Sequence, residues 1–224
     1  MRIIVAPDSF KGSADAAEVA AAIGRGWASV RPDDDVVPMP MADGGEGTLD
    51  AFEAAVPGAE RRVLRVTGPL GDPVDAGWLL LPDGTAVVEL ASTSGITLLA
   101  EDDLRAQDAT TRGFGEAVAG AIAAGASRLL LAVGSSCSTD GGAGALEALG
   151  AVFLTAEGAP IAPGARGLAS LRSVDLTGLV ALPKGGAVIV SDVSNPLLGP
   201  NGAAAVFGPQ KEPMPTTSSR WTPR

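Results

Sequence analysis

The chain has 224 residues, 46% of them hydrophobic and 19% charged, with a formal net charge of −10 and a pI near 4.4. That length suits one large domain or two small ones with a sizeable core. His and Tyr are absent and Cys137 is the single cysteine, which excludes Ser-His-Asp and Cys-His nucleophile systems, imidazole-dependent zinc sites and any intrachain disulfide.

Chemistry must therefore run on Asp, Glu, Lys, Arg, Ser, Thr, Asn and backbone N–H groups. The acidic balance, with no Lys/Arg patch, argues against nucleic acid as a partner. The apolar run at the start is too short for a signal peptide. No uncharged apolar run approaches the ~20 residues of a membrane span. A soluble cytoplasmic protein with no membrane partner is the expectation.

Taken in chain order, residues 2–6 read as a strand ending at Pro7-Asp8. A loop follows, then a helical pattern over 14–29 with Ser13 as its N-cap. Residues 35–41 read as a second strand, followed by a glycine-rich loop and a helix from Glu46 or Thr48 to Ala55. Strand-loop-helix twice argues for parallel strands with loops at their C-terminal ends. The texture changes at Arg61: residues 61–67, 74–81 and 85–91 are strand-like, and Asp83-Gly84 predicts a tight antiparallel hairpin. A helix over 111–124, a buried strand over 128–133 and a helix ending at Leu149, with Gly150 at its cap, come next. Residues 151–186 read as short elements, 187–190 as a buried strand, and 201–206 as a short helix. From Glu212 the chain loses apolar periodicity and reads as a disordered tail.

One feature recurs: a strand followed by a loop of glycines, small hydroxyls and an acid. It occurs at D8SFKGS13, M41ADGGEGT48, G134SSCSTDGG142 and S191DVSNPLLGPNG202. None is a P-loop or dinucleotide fingerprint. The physics is related, however. Glycine admits close backbone approach to a ligand, and successive N–H groups cradle anions. One or two carboxylates can hold Mg²⁺ together with phosphate oxygens, and a lysine can neutralise charge on a phosphoryl group. Each loop alone also has an ordinary reading. Ser13 or Asp15 can simply cap a helix, Asp140 and Asp43 can be turn or cap residues, and Asn195-Pro196 is a common turn. Cys137 without an activating His reads as a small buried hydrophobe. Together, four such loops at strand ends point to an anionic ligand with a metal.

At these residues the sequence resembles the type I glycerate kinase family. The resemblance rests on APDSFKGS at the start, MADGGEGT at 41–48, VVELASTSGITLL at 87–99, TTRGFGEAV at 110–118, GSSCSTDGGAGALEALG at 134–150 and SDVSNPLLGPNGAAAVFGPQK at 191–211, in order and in register. It implies an α/β fold of two unlike lobes: a flavodoxin-like one beginning at residues 1–61, and a mixed-sheet, restriction-endonuclease-like one over 62–211. The implied activity is transfer of the γ-phosphoryl group of ATP, with Mg²⁺, to a hydroxyl of D-glycerate, with 2-phosphoglycerate the favoured product. Within that reading Asp43, Asp192 and Lys11 are the candidate catalytic residues. Asp8, Ser9, Gly12, Gly44, Gly45, Ser135, Ser136, Gly141, Gly142 and Asn195 are candidates for binding substrate or phosphate. Asp140 and Asp192 are candidate Mg²⁺ ligands. Assembly as a homo-oligomer is an open alternative.

The departures matter too. Around Cys137-Ser138-Thr139 the family often has Ala-Thr-Asn. Beyond FGPQK the family carries a Gly- and Ala-rich loop, a GEGR-containing motif and further strands and helices, which the tail from Glu212 does not match. The expectation is a truncated form, through a frameshift or as a short paralogue, whose first lobe keeps only two strands and is marginal alone. A non-catalytic remnant that binds nucleotide or glycerate is the alternative function. A flavin-binding module is disfavoured because aromatic residues are only 4%.

Overall fold

The computed structural model describes residues 1–10 and 13–211. Lys11, Gly12 and the tail from Glu212, with the reading made of it, lie outside the described residues.

Strands β1 (Arg2–Val5) and β2 (Asp35–Pro38) pair in parallel, Arg2 opposite Asp35 and Val5 opposite Pro38, with α1 (Ala16–Val30) between them in the chain. The helix starts later than the Ser13 cap predicts. Asp15 accepts from the Glu18 N–H at 2.7 Å while Glu18 accepts from the Asp15 N–H, a reciprocal capping box. Ser13 instead donates its hydroxyl to the Phe10 carbonyl at 2.8 Å. Beyond β2 the chain stays tied to its neighbour, with the Met39 N–H on Val5 O at 2.7 Å and the Met41 N–H on Pro7 O at 2.9 Å. The next helix, α2 (Thr48–Ala55), begins after Gly47 at φ 87°.

The second sheet is built from β3 (Glu60–Thr67), β4 (Pro73–Leu80) and β5 (Thr85–Glu89), an antiparallel series. The Asp83-Gly84 turn forms as predicted: Gly84 has φ 83°, and the Asp83 carboxylate accepts from the Thr85 N–H at 2.9 Å. After β5 come a single helical turn α3 (Ala91–Ser94), then α4 (Arg112–Ala123), β6 (Arg128–Ala132) and α5 (Ala143–Ala148). Strand β7 (Val152–Leu154), helix α6 (Gly164–Leu168) and strand β8 (Ser173–Asp175) form a small antiparallel appendage. Strand β9 (Ala187–Val190) returns to the main sheet and α7 (Ala203–Lys211) closes the described chain. The strand order is β3-β4-β5-β6-β9, with β5, β6 and β9 mutually parallel. Helix α7 is longer than its sequence predicts: it runs through Pro209, and its end is held by Lys211.

Every residue of β5 is buried, because helices cover both faces of this sheet. On one face Ala86, Val88 and Leu129 pack with Phe114, Ala117, Val118 and Ala121 of α4. On the other, Leu79 and Val87 pack with Leu49, and Phe52 of α2 adjoins them. Each fully buried Leu or Val side chain is worth roughly 1.5–3 kcal/mol of transfer free energy. Helix α2, on the N-terminal side of a division at residue 61, thus rests on the sheet that follows it. Among the described residues the pair β1-β2 has no such double cover, and Ile4 of β1 is 58% exposed.

Candidate active site

The parallel strands β2, β6 and β9 end at one region, and three of the four glycine-acid loops meet there. The Gly134 N–H donates to the Gly44 carbonyl at 2.8 Å, and the Glu46 N–H donates to Ser135 Oγ at 3.3 Å. A Cβ on Gly44, whose φ is 94°, would lie 2.8 Å from the Val190 carbonyl oxygen. A Cβ on Gly134 would lie 2.7 Å from Gly45 Cα. These glycines are required by the close approach of three backbones. The fourth loop is alongside: Ser9 and Phe10 share a cleft with Glu46 and Gly47. The region is assembled from segments distant in sequence, as expected at strand C-termini of an open α/β sheet.

Asp43 is half-buried, and its Oδ1 accepts from the Gly45 N–H at 2.8 Å. This Asx turn orients the carboxylate within the loop. Asp8 is exposed and accepts from the Ser9 N–H at 2.6 Å. Asp192, two residues beyond β9, is exposed. Asn195 is also exposed and donates to the Asn201 carbonyl at 2.9 Å. Ser135 is the one non-glycine residue with positive φ among the described residues, at 57°. Such a conformation costs on the order of 1–3 kcal/mol and concentrates at functional sites. Its carbonyl accepts from the Ile96 N–H at 2.9 Å, so the strain is held by the segment after α3.

Asp140 has a different place from the other acids. It is 1% exposed. Its Oδ2 accepts from the Thr111 N–H and hydroxyl, both at 2.8 Å, and from the Gly144 N–H at 3.2 Å. Its Oδ1 accepts from the Gly142 N–H at 3.1 Å. The carboxylate ties the start of α4 to the start of α5, which accounts for its burial without a metal. Among the described residues no group of three or more His, Cys, Asp or Glu side chains could hold a metal ion. A cation at these loops would need oxygen ligands from a phosphate as well as from a carboxylate such as Asp192. Cys137 is fully buried, donates to the Ser94 carbonyl at 3.2 Å, and burial pushes its thiol up to about 11.

Two charged side chains near the loops escaped the sequence reading. Glu89 ends β5 beneath the start of α2, 5% exposed, with Oε1 accepting from the Leu49 N–H at 3.4 Å. Burial raises its carboxyl to about 7, opposed by the backbone donors of Leu49, Thr48 and Gly47. The signal was present: an acid closing the all-apolar run Ala86-Val87-Val88. Lys211 ends α7, and its ammonium donates to Ser136 Oγ at 2.6 Å and to the Ser138 carbonyl at 3.0 Å. Burial lowers its pKa from the ordinary lysine value. Its signal was a lone lysine closing the FGPQK motif. Ser136, Gly141, Gly142 and Lys211 line one side of a cavity of about 350 Å³. No helix among the described residues is long and apolar enough to cross a membrane.

The model of the glycerate kinase family matches residues 3–220. The chain is 47% identical over 215 residues to a glycerate kinase of Bacillus subtilis (strain 168), covering 94% of this chain and 56% of that protein. It is 45% identical over 213 residues to a glycerate 2-kinase of Escherichia coli (strain K12), again covering 94% and 56%. A crystal structure provisionally named glycerate kinase 2, from Salmonella typhimurium LT2, superposes with a TM-score of 0.82 at 41% identity, over 96% of this chain and 58% of that one. The chain thus spans a little over half the length of the curated relatives it matches. With these likenesses running through all four loops and the sheet that carries them, the chain belongs to the glycerate kinase family.

Proposed function

We propose that this chain serves ATP- and Mg²⁺-dependent phosphorylation of D-glycerate at the 2-hydroxyl, giving 2-phosphoglycerate. The observation that carries the reading is the meeting of the loop that follows Asp43, the Gly134-Ser135 turn and Val190 at the end of β9, at one end of the parallel strands. The name of the Escherichia coli relative, glycerate 2-kinase, supports the position of the hydroxyl.

In this reading the bridging oxygen between the β- and γ-phosphorus atoms leaves with ADP, and the glycerate oxygen forms the new bond to the γ-phosphorus. The hydroxyl proton passes to the Asp43 carboxylate and from there to water. Phosphoryl transfer relies mainly on positioning and charge stabilisation, and the close packing of Gly44 against Val190 and of Gly45 against Ser135 holds the Asp43 loop in place. Lys11 would neutralise the glycerate carboxylate or a phosphate. Asp192, exposed at the loop, would hold Mg²⁺ with nucleotide oxygens, and the ion's charge would offset that of the phosphates. The cytoplasm is the proposed location.

The test is ADP release by the purified chain with Mg-ATP and D-glycerate, with phosphorus NMR of the product. Formation of 2-phosphoglycerate that falls at least 100-fold in Asp43→Asn is expected. Mg-ATP binding without ADP formation would leave a binding protein and refute transfer by this chain.

A further inference from the structure

Helix α2 begins without a cap of its own, since its N-cap is Gly47, which has no side chain to offer as an acceptor. The first N–H groups of a helix have no partner within it and need an acceptor from outside. Bulk water is shut out, because Thr48 and Leu49 are each 2% exposed. The acceptor comes from 40 residues away. Glu89 Oε1 takes the Leu49 N–H at 3.4 Å, and the same carboxyl faces the backbone N–H groups of Thr48 and Gly47. Glu89 is itself held firmly. It is the last residue of β5, paired opposite Ala132 of β6, and the following Leu90 N–H donates to the Ala132 carbonyl at 2.8 Å.

From Glu89 a short run of bonds leads to Asp43. The buried Thr48 hydroxyl donates to the Gly45 carbonyl at 2.7 Å, and the Gly45 N–H donates to Asp43 Oδ1 at 2.8 Å. The extension of β6 grips the other side of the loop, with the Gly134 N–H on Gly44 O at 2.8 Å. Resting on the kinase reading above, we infer that Glu89 is a positioning residue: its carboxyl oxygen seats the start of α2 on the end of β5 and so fixes where the Asp43 carboxylate stands. It acts through Leu49, Thr48 and Gly45 and touches no reacting atom.

What the loop needs is an acceptor, and a charge there is a burden. Glu89 lines a cleft of about 390 Å³ together with the charged side chains of Glu46, Asp50, Arg61 and Asp75. Arg61 is committed to Asp50 and Glu53, both at 2.6 Å. Burial, with the Asp50 charge, raises Glu89 to about 7 against the pull of the backbone donors. The seated loop thus holds the proton more tightly than a lifted loop, in which the carboxyl meets water. Loss of that proton as pH rises through about 7 favours lifting.

Amide hydrogen exchange on the full 224-residue chain, corrected for the intrinsic rate at each pH, tests this with Glu89→Ala and Glu89→Gln. Loss of the acceptor in Glu89→Ala should speed exchange at residues 45–49 by about 10-fold or more, while the amides of β5 and β6 stay within about two-fold. Glu89→Gln keeps a carbonyl oxygen and should restore the wild-type loop at pH 6. Between pH 6 and pH 8 the wild-type loop should loosen by about 10-fold and the Glu89→Gln loop should not respond. The inference is overturned if Glu89→Ala leaves the loop amides within two-fold, or if it speeds those of β5 and β6 equally. Where Glu89→Ala does not fold, the pH comparison decides, and equal pH dependence in wild type and Glu89→Gln overturns the inference. ADP formation from Mg-ATP and D-glycerate reads the kinase assignment separately. In a chain that turns over, Glu89→Ala should lower kcat by about 10- to 100-fold with the KM for ATP within about two-fold, and an unchanged kcat overturns the positioning role. A chain that forms no ADP yet shows the local loosening discards the kinase reading and keeps the hold of Glu89 on the loop.

Discussion

Removing the Asp140 carboxylate should unfold the junction between α4 and α5. Asp140→Ala leaves the Thr111 N–H and hydroxyl and the Gly142 and Gly144 N–H groups without their acceptor. A hydrogen bond to a charged group contributes about 1.5–3 kcal/mol, and such bonds within one network do not add. Backbone relaxation and entering water recover part of the loss. A net destabilisation of roughly 3–5 kcal/mol follows, a large fraction of the ~5–15 kcal/mol that holds a typical domain together. For a chain of this size that is about 10 °C in Tm. Asp140→Asn is the finer probe. Its amide oxygen can take the three bonds now made to Oδ2, but its NH₂ then faces the Gly142 N–H, donor against donor, at about 1–2 kcal/mol. Urea unfolding without divalent cations measures both variants. A cost below about 1 kcal/mol for Asp140→Ala, or a cost appearing only with Mg²⁺ present, would refute the structural role and return Asp140 to the metal.

Other outcomes follow from the same geometry. Glu89 is raised to about 7 from an ordinary 4.5, so the folded state holds this proton where the unfolded state has released it. Its contribution is complete below the unfolded value and is lost as pH rises through about 7. Glu89→Gln should therefore match wild type near pH 4 and exceed it above pH 7 by on the order of 3 kcal/mol; parallel stability–pH curves for the two proteins would contradict this. Cys137 should resist a thiol reagent at pH 8 in the folded chain and react fully in denaturant, and rapid labelling of the native protein would show its burial to be wrong. Gly134→Ala forces a methyl to 2.7 Å from Gly45 Cα. It should cost about 1–3 kcal/mol and weaken D-glycerate binding more than ten-fold, whereas unchanged affinity would mean that the two loops need not touch.

Much was legible in the sequence because it rests on local rules. The Asp83-Gly84 turn, the parallel pairing of the first two strands and the antiparallel series after residue 60 follow from turn chemistry and strand periodicity. The glycine-acid loops were visible because glycine at a strand end is a local signal. The start of α1 was misplaced by two residues, since Ser13 and Asp15 are both good caps, and only the reciprocal bond with Glu18 selects Asp15.

What the tertiary structure decided was the partners of charged groups. In sequence Asp43 and Asp140 look alike, each an acid before two glycines. Folding leaves the first half-buried beside a meeting of loops and encloses the second among four donors from two helix starts. Glu89 and Lys211 acquire their buried settings from α2 and from the loop at 134–142, which lie far from them in the chain. Burial and pairing are sums over neighbours brought together by strand order, and a linear sequence carries periodicity and turn chemistry but no distances between segments.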